Sequence, residues 1–146
     1  SFPHEPNSVR LNLEMRKLAM NHLKEGGVVI LFPAGAVATS PGWFDKAVEG
    51  EWLPFTAKMI LKSDAEVLPI YFSGQNSRWF QIANKISITV RQGLLLHEIV
   101  HAMNKEQAPI IGKPIKRSEL NEYNKDPRGL MEHLRSKTLL LKNKEN

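Results

Sequence analysis

The sequence predicts an α/β fold in which a mostly parallel sheet is flanked by helices. Three short apolar runs, at residues 28–32, 67–72 and 108–111, have the composition of β-strands. Stretches with the spacing of amphipathic helices precede and separate these runs, and strands that alternate with helices form parallel sheets. The 146 residues suffice for one core, so we expect a single domain over residues 1–141 and a charged tail over residues 142–146.

The run at residues 28–32 is the predicted central strand. It is continuous, rich in β-branched residues and preceded by two glycines, as in strands that are buried on both faces. Pro33 then ends strand pairing because it lacks an N–H, and positions 34, 35, 36 and 38 are alanine or glycine. Thr39 and Ser40 add hydroxyl groups. Because α/β proteins bind ligands at the carboxyl ends of buried strands, this small-residue segment (residues 34–40) is a candidate ligand site, with an ordinary turn as the alternative.

A second candidate site, made of polar residues, follows the apolar run at residues 67–72. Pro69 lies inside that run, which predicts an edge strand or a bulge rather than a central strand. The chain then reads Ser-Gly-Gln-Asn-Ser-Arg over residues 73–78, which we call the polar segment. It offers many hydrogen-bond donors and acceptors and one fixed charge, at Arg78. The alternative is a solvated turn.

Capping signals and apolar spacing predict two helices before the polar segment. The first begins at Asn7 or Ser8 and ends at Gly26. The second covers residues 51–62, with a proline in its first turn. The residues expected on the buried faces of these helices are Leu11, Met15, Leu18 and His22 in the first, and Trp52, Phe55 and Met59 in the second.

Two further helical stretches follow. Residues 86–104 are mostly helical by pattern, although residues 86–90 alternate as in a strand and their type stays open. Asp126 caps a last helix that has Pro127 at its first position. The buried side of that helix is expected to carry Leu130, Leu134 and Leu141.

Residues 97–101 match the H-E-x-x-H pattern. On a helix this spacing puts two imidazoles on one face to hold zinc, with the glutamate as general base. A third ligand is needed, and Glu119 or Glu122 follows downstream, but no downstream zincin signature accompanies the pattern. A zinc-dependent hydrolase through His97, Glu98 and His101 is therefore one alternative function. The other interpretation is a helix whose histidines bind no metal.

The amino-acid composition indicates what kind of molecule this protein binds. The formal net charge is +5 and the pI is near 9.6, which suits a negatively charged partner. The basic residues are scattered rather than clustered, so no nucleic-acid partner is predicted. The chain has no cysteine, which fits a reducing compartment, and no stretch approaches the length of a membrane-spanning helix.

Three segments, in this order, resemble the glycerophospholipid acyltransferase family. The resemblance is to its bacterial branch related to lysophospholipid acyltransferases, sometimes labelled hemolysin-like. The segments read Phe-Pro-Ala-Gly at residues 32–35, Val-Leu-Pro-Ile at residues 67–70 with the polar segment after it, and Ile-Gly-Lys-Pro-Ile at residues 111–115. In that family F-P-x-G lines the acceptor pocket, a V-x-P-I strand comes next, and an I-G-x-P-I strand closes the domain.

The catalytic signature of the family, H-x4-D, is missing from this chain. In the family its histidine is the general base for the acceptor hydroxyl, and its aspartate orients the histidine. No histidine here has an aspartate five positions later. We therefore expect a chain that is N-terminally incomplete relative to the family fold and inactive in isolation, and we assign no catalytic residue.

The resemblance implies an activity and a set of substrate-binding residues. The activity is transfer of a fatty acyl group from acyl-CoA or acyl carrier protein to the hydroxyl of a lysophospholipid or lyso-aminolipid, with no metal or redox cofactor. The fuller family form F-P-E-G-T-R-S has glutamate and arginine where Ala34 and Val37 stand, which favours an acceptor held by hydroxyls and backbone N–H groups. The implied substrate-binding residues are Phe32, Pro33, Gly35, Thr39, Ser40, Gln75, Asn76 and Arg78.

The resemblance also implies a location. We expect a cytoplasmic protein held peripherally on the anionic surface of the inner membrane, where basic side chains meet anionic lipids. A third alternative is a non-catalytic module that binds a membrane or a partner protein.

Overall fold

The computed structural model of the protein describes residues 8–43, 45–74, 76–103, 105–106 and 108–144. Within these residues the chain forms six α-helices, one two-stranded antiparallel sheet and a terminal 3₁₀ helix. In chain order the elements are α1 (Ser8–Lys24), α2 (Pro54–Leu61), β1 (Ile70–Tyr71), α3 (Arg78–Ile86), α4 (Ile88–Met103), β2 (Ile110–Ile111), α5 (Arg117–Asn121), α6 (Pro127–Leu139) and the 3₁₀ helix (Leu140–Lys144). The predicted α/β fold with a mostly parallel sheet is therefore wrong, because the described residues are mainly helical and contain no parallel sheet.

The sheet joins the second and third predicted strands in the opposite sense to the prediction. Ile70 lies opposite Ile111 and Tyr71 opposite Ile110, in antiparallel register. An isolated bridge between Val67 and Ile115 continues this pairing. A parallel pair needs a connection that returns the chain to the starting end. Here α3 and α4 follow β1 in the chain, precede β2 and pack against each other. The chain then enters β2 in the direction opposite to β1.

The predicted central strand, residues 28–32, is neither strand nor helix in the structure. Its side chains are largely exposed, with Val28 80% exposed, Ile30 77% and Phe32 79%. A strand forms only where a second backbone completes its ladder, and no described strand runs beside this segment. The apolar, β-branched composition of the run carried no information about such a partner.

The first two predicted helices form, but their buried faces differ from the prediction. α1 covers Ser8–Lys24, and Gly26 follows it with φ +82°. Met15 and Leu18 are 65% and 63% exposed, so the predicted buried face of α1 is wrong. α2 begins at Pro54, since proline is tolerated in the first turn. Met59 of the predicted face is buried, together with Thr56, Ala57 and Ile60, whereas the predicted Phe55 is 46% exposed.

The open question about residues 86–90 is resolved as a helix break. α3 ends at Ile86, and Ser87 has φ −158° and ψ 132°, which is extended backbone. The Ser87 N–H donates to the carbonyl of Ala83, closing the last turn of α3. α4 starts at the next residue, so one extended residue separates two helices.

The hydrophobic core lies between α2, α5 and α6. Its buried members are Ala57, Ile60, Ile115, Leu120, Leu130, Met131 and Leu134. The last helix forms as predicted: the Asp126 side chain accepts from the N–H of Gly129 at 2.9 Å, and Pro127 lies in the first turn. Leu130 and Leu134 are buried, which confirms their predicted place on the inner side of this helix; Leu141 is also buried, but it lies in the 3₁₀ helix that follows α6.

Arg117 connects α5 to the end of α2. Its guanidinium donates to the carbonyls of Ile60 at 2.7 Å and Leu61 at 2.8 Å. These carbonyls belong to the last turn of α2, where a cation is favoured; the Ile60 carbonyl also accepts from the N–H of Ser63 at 3.2 Å and from its hydroxyl at 3.0 Å. None of the described helices is both long enough and apolar enough to cross a membrane.

Candidate functional site

Gln81 joins the small-residue segment to α3. Its Oε1 accepts from the backbone N–H of Ser40 at 2.9 Å, and its Nε2 donates to the carbonyl of Ala38 at 3.4 Å. Gln81 and Ser40 are 4% and 6% exposed. One amide side chain thus satisfies the buried N–H of Ser40 and the half-buried carbonyl of Ala38. We call this arrangement the Gln81 bridge.

The start of the small-residue segment is a tight turn. The N–H of Gly35 donates to the carbonyl of Phe32 at 3.1 Å, and Gly35 has φ +63°. A side chain at position 35 would meet only Leu53 Cδ1, at 3.6 Å, so it is the backbone angle and not space that requires glycine. The carbonyl of Pro33 accepts from the N–H of Leu53 at 3.1 Å, which fixes the turn against the residue preceding α2.

The other end of the small-residue segment closes a loop. The Thr39 N–H donates to the carbonyl of Val48 at 3.3 Å, and the Val48 N–H donates to the carbonyl of Thr39 at 3.0 Å. The Thr39 side chain is half-buried and makes no hydrogen bond with any other described residue. Its hydroxyl is therefore available to a ligand next to the Gln81 bridge.

The polar segment leads into the N-terminus of α3. Ser77 caps the helix, and its Oγ accepts from the N–H of Phe80 at 3.2 Å. Asn76 is half-buried, and within the described part of the chain its side chain has no hydrogen-bond partner. Arg78 is the first residue of α3, and Gln75 lies outside the described residues.

The structure thus connects only part of the predicted set. Thr39 and Ser40 are held by the Gln81 bridge to the helix that Arg78 begins, directly after Asn76. Phe32, Pro33 and Gly35 lie at the far end of the small-residue segment, against Leu53, and Phe32 is 79% exposed. Their role as substrate-binding residues stays a prediction.

Sequence reasoning missed Gln81. The residue follows the polar segment in a stretch that reads Trp-Phe-Gln-Ile-Ala, so it is a single polar side chain among apolar ones. A polar residue at such a position must find a buried partner, because an unpaired buried amide is costly. The sequence therefore indicates that Gln81 has a buried partner. It does not indicate that this partner is Ser40, 41 positions earlier in the chain.

Glu98, the glutamate of the H-E-x-x-H pattern, binds Ser77. Its Oε2 accepts from the Ser77 N–H at 2.9 Å, and its Oε1 accepts from the Ser77 hydroxyl. Burial raises the pKa of Glu98, but the two hydrogen bonds from Ser77 and the proximity of His97 and His101 outweigh burial and lower it. The carboxylate therefore supports the N-terminus of α3, where negative charge is favoured.

The two histidines of the pattern stack on the exposed surface of α4. Their ring centroids are 6.2 Å apart, and the planes differ by 13°. No group of three His, Asp or Glu side chains able to hold a metal ion occurs among the described residues. Glu119, one suggested third ligand, instead accepts from His133 at 2.7 Å and from Lys137 at 2.9 Å. The zinc-hydrolase alternative thus stays a prediction with no coordination geometry in its favour.

We expect Glu98→Gln to destabilise the protein by about 1 kcal/mol at pH 7, because the amide keeps only one acceptor oxygen for Ser77. The lowered pKa sets the pH dependence. The stabilisation by Glu98 is complete above the ordinary value of 4.5, and it is lost as pH falls through the folded-state pKa.

Thermal unfolding of both proteins between pH 7 and pH 3 checks this expectation. The difference in melting temperature should shrink as the pH drops below 4.5. Glu132→Gln, on the exposed side of α6, is the matched control and should change little. A difference between Glu98→Gln and the parent chain that is constant with pH would refute the capping role.

Two contacts therefore define the candidate site. The Gln81 bridge holds the small-residue segment to α3, and Glu98 holds the capping residue Ser77 at the start of the same helix. Between them they leave the hydroxyl of Thr39 and the amide of Asn76 without partners among the described residues.

No protein-family model, no curated protein and no solved structure matches this chain.

Proposed function

We propose that this chain is the acceptor-binding part of a lipid acyltransferase. The enzyme would move a fatty acyl group from acyl-CoA or acyl carrier protein to the hydroxyl of a lysophospholipid or lyso-aminolipid. The observation that carries the proposal is the Gln81 bridge, which holds Ser40 and Ala38 to the helix that begins at the end of the polar segment. These are the two segments that resemble the acceptor wall of the glycerophospholipid acyltransferases.

Acyl transfer to a lysolipid requires two separate contributions from the enzyme, binding of the acceptor and removal of its hydroxyl proton. Acyl transfer to an alcohol needs a base that takes the hydroxyl proton and donors aimed at the developing oxyanion. The described residues offer a hydroxyl at Thr39 and an amide at Asn76, which suit the hydroxyl and ester groups of a lysolipid. These 146 residues contain no histidine and aspartate in the H-x4-D pattern, so the chain orients the acceptor and leaves proton abstraction to the part of the enzyme that carries the pattern.

An anionic membrane surface is the proposed place of work. Residues 28–32 lead into the small-residue segment with Val28, Ile30 and Phe32 more than three-quarters exposed. Exposed apolar side chains of this kind bind at the lipid interface, and lysolipids are found there. Exposed cationic side chains on α1 and α2, among them Lys17 and Lys58, add attraction to anionic headgroups on the cytoplasmic face.

The same exposed side chains favour a second candidate, a non-catalytic membrane-binding module. It makes a different prediction about turnover. A longer protein that carries this chain together with an H-x4-D segment should transfer acyl groups if the first proposal holds. Vesicle binding without transfer from acyl-CoA or acyl carrier protein would instead identify the module.

Lysolipid binding tests the acceptor wall in the chain itself. We expect Asn76→Ala and Thr39→Val each to weaken binding of a short-chain lysophosphatidylethanolamine by about tenfold, through loss of a hydrogen bond in a half-buried site. Isothermal titration calorimetry below the critical micelle concentration measures the dissociation constants. Asn124→Ala and Thr89→Val change the same residue types at exposed positions and should leave binding unchanged. Equal losses in the test and control variants would reject the proposed wall.

A further inference from the structure

A cavity of about 340 Å³, open to solvent along one side, lies between the strand pair and the C-terminal helices. Its apolar side includes Ile115 and Leu141, which are 4% and 5% exposed. The other apolar lining residues are Pro69, just before β1, Pro114, and Leu140 at the start of the 3₁₀ helix. The volume falls in the range of small-molecule sites, and none of these residues belongs to the proposed acceptor wall, so the two sites are independent.

A close backbone approach shapes the cavity wall. The N–H of Gly112 donates to the carbonyl of Pro69 at 2.9 Å. A Cβ at position 112 would lie 2.8 Å from Pro69 Cγ and 3.2 Å from both terminal methyl carbons of Leu141. Glycine at position 112 therefore lets the strand pair and the 3₁₀ helix meet at this distance. The cavity is built from packed elements and not from a loose loop.

The polar side of the cavity carries an uncompensated positive charge. Lys113, Glu119 and Lys137 line it. Glu119 is already engaged, because it accepts from Lys137 at 2.9 Å and from His133 at 2.7 Å. These bonds, that of Lys137 first, lower the pKa of Glu119 and keep it ionised at neutral pH. No carboxylate of the described residues lies within ion-pair distance of Lys113.

We propose that this cavity binds an anionic single-chain amphiphile, with the carboxylate or phosphate headgroup at Lys113 and the hydrocarbon against Ile115, Leu140 and Leu141. An ammonium at the cavity mouth attracts a monovalent or divalent anion. The apolar side of the cavity stabilises a hydrocarbon chain by about 0.8 kcal/mol for each methylene that it buries. A headgroup without a chain, or a chain with a cationic headgroup, satisfies only one of the two conditions.

Calorimetric titration of the full chain with four small probes tests the proposal. Octanoate and octyl phosphate should bind, octylammonium should not, and inorganic phosphate should bind at least tenfold more weakly than octyl phosphate. Whichever of octanoate and octyl phosphate binds more tightly identifies the headgroup as carboxylate or phosphate. Absence of binding by both, or equal binding of octylammonium, would overturn the proposal.

Two variants locate the bound ligand. Lys113→Met should weaken binding of both anions about tenfold, whereas Lys125→Met, the same change at an exposed turn position, should not. Leu140→Trp should block the cavity without a change in charge, and since Leu140 is 61% exposed the fold should tolerate it. Circular dichroism confirms that each variant is folded. Unchanged affinity in both Lys113→Met and Leu140→Trp would place the ligand elsewhere and reject the cavity.

Discussion

Leu130→Ala is expected to lower the free energy of unfolding by about 4 kcal/mol. Leu130 is fully buried in the core cluster that joins α2, α5 and α6. The space left by the removed atoms cannot collapse readily, because two contacts hold α6 in place. His133 and Lys137 bind Glu119 of α5, and Arg135 donates to the carbonyl of Glu49 at 2.8 Å. Because these contacts keep the surroundings rigid, we expect a loss of stability in the upper part of the range observed when a buried leucine is replaced by alanine.

Urea denaturation measures this loss directly. Leu96→Ala is the matched control, since Leu96 is 68% exposed on α4, and it should cost less than about 1 kcal/mol. A loss from Leu130→Ala no larger than that of the control would mean that the core does not lie between α2, α5 and α6.

Gln81→Leu is expected to cost about 2 kcal/mol, because it leaves the buried N–H of Ser40 and the half-buried carbonyl of Ala38 without partners. Leucine has nearly the volume of glutamine, so packing changes little and the hydrogen bonds are what is lost. The Ser40 N–H would remain buried, and the Ala38 carbonyl half-buried, near an apolar side chain. The small-residue segment should then separate from α3, and lysolipid binding should fall with it.

Hydrogen exchange separates this local effect from a general loss of stability. The amide of Ser40 should exchange faster in Gln81→Leu under conditions where the amides of α6 keep their protection. Gln92→Leu, on the exposed part of α4, is the control and should change neither stability nor exchange at Ser40. Unaltered protection of Ser40 in Gln81→Leu would rule out the Gln81 bridge.

Local signals in the sequence predicted local structure well. The last helix was predicted from Asp126 and Pro127, and both act within one turn of the residues they stabilise. The stop after α1 was likewise predicted from a glycine, Gly26, whose positive φ needs no distant partner. Capping and helix termination depend on residues three or four positions apart, so a single sequence contains the information.

Pairing and burial were not predictable in the same way. Residues 28–32 have the composition of a strand, but a strand also requires a neighbour, and composition does not name one. The direction of pairing between β1 and β2 depends on how α3 and α4 turn the chain between them. The buried face of α1 was wrong because apolar spacing shows which residues share a face and not whether another element covers it.

The candidate site shows the same division. Thr39, Ser40 and Asn76 were selected because small and polar residues follow apolar runs. Gln81 was missed because its partners are 41 and 43 positions away. Glu98 was placed in a metal pattern by the spacing of its neighbours, whereas its own bonds go to Ser77, 21 positions earlier. Contacts of that range depend on the packing of α3 against α4.

In the proposed acyltransferase, the small-residue segment and the polar segment form one wall that binds a lysolipid. Photo-crosslinking with a lysophospholipid that carries a diazirine on its glycerol tests it most directly, with cross-linked peptides mapped by mass spectrometry. We expect labelling of both residues 34–40 and residues 73–81, reduced by unlabelled lysolipid and lost from both in Gln81→Leu. Labelling of only one of these segments, or equal labelling of the parent chain and Gln81→Leu, would contradict it.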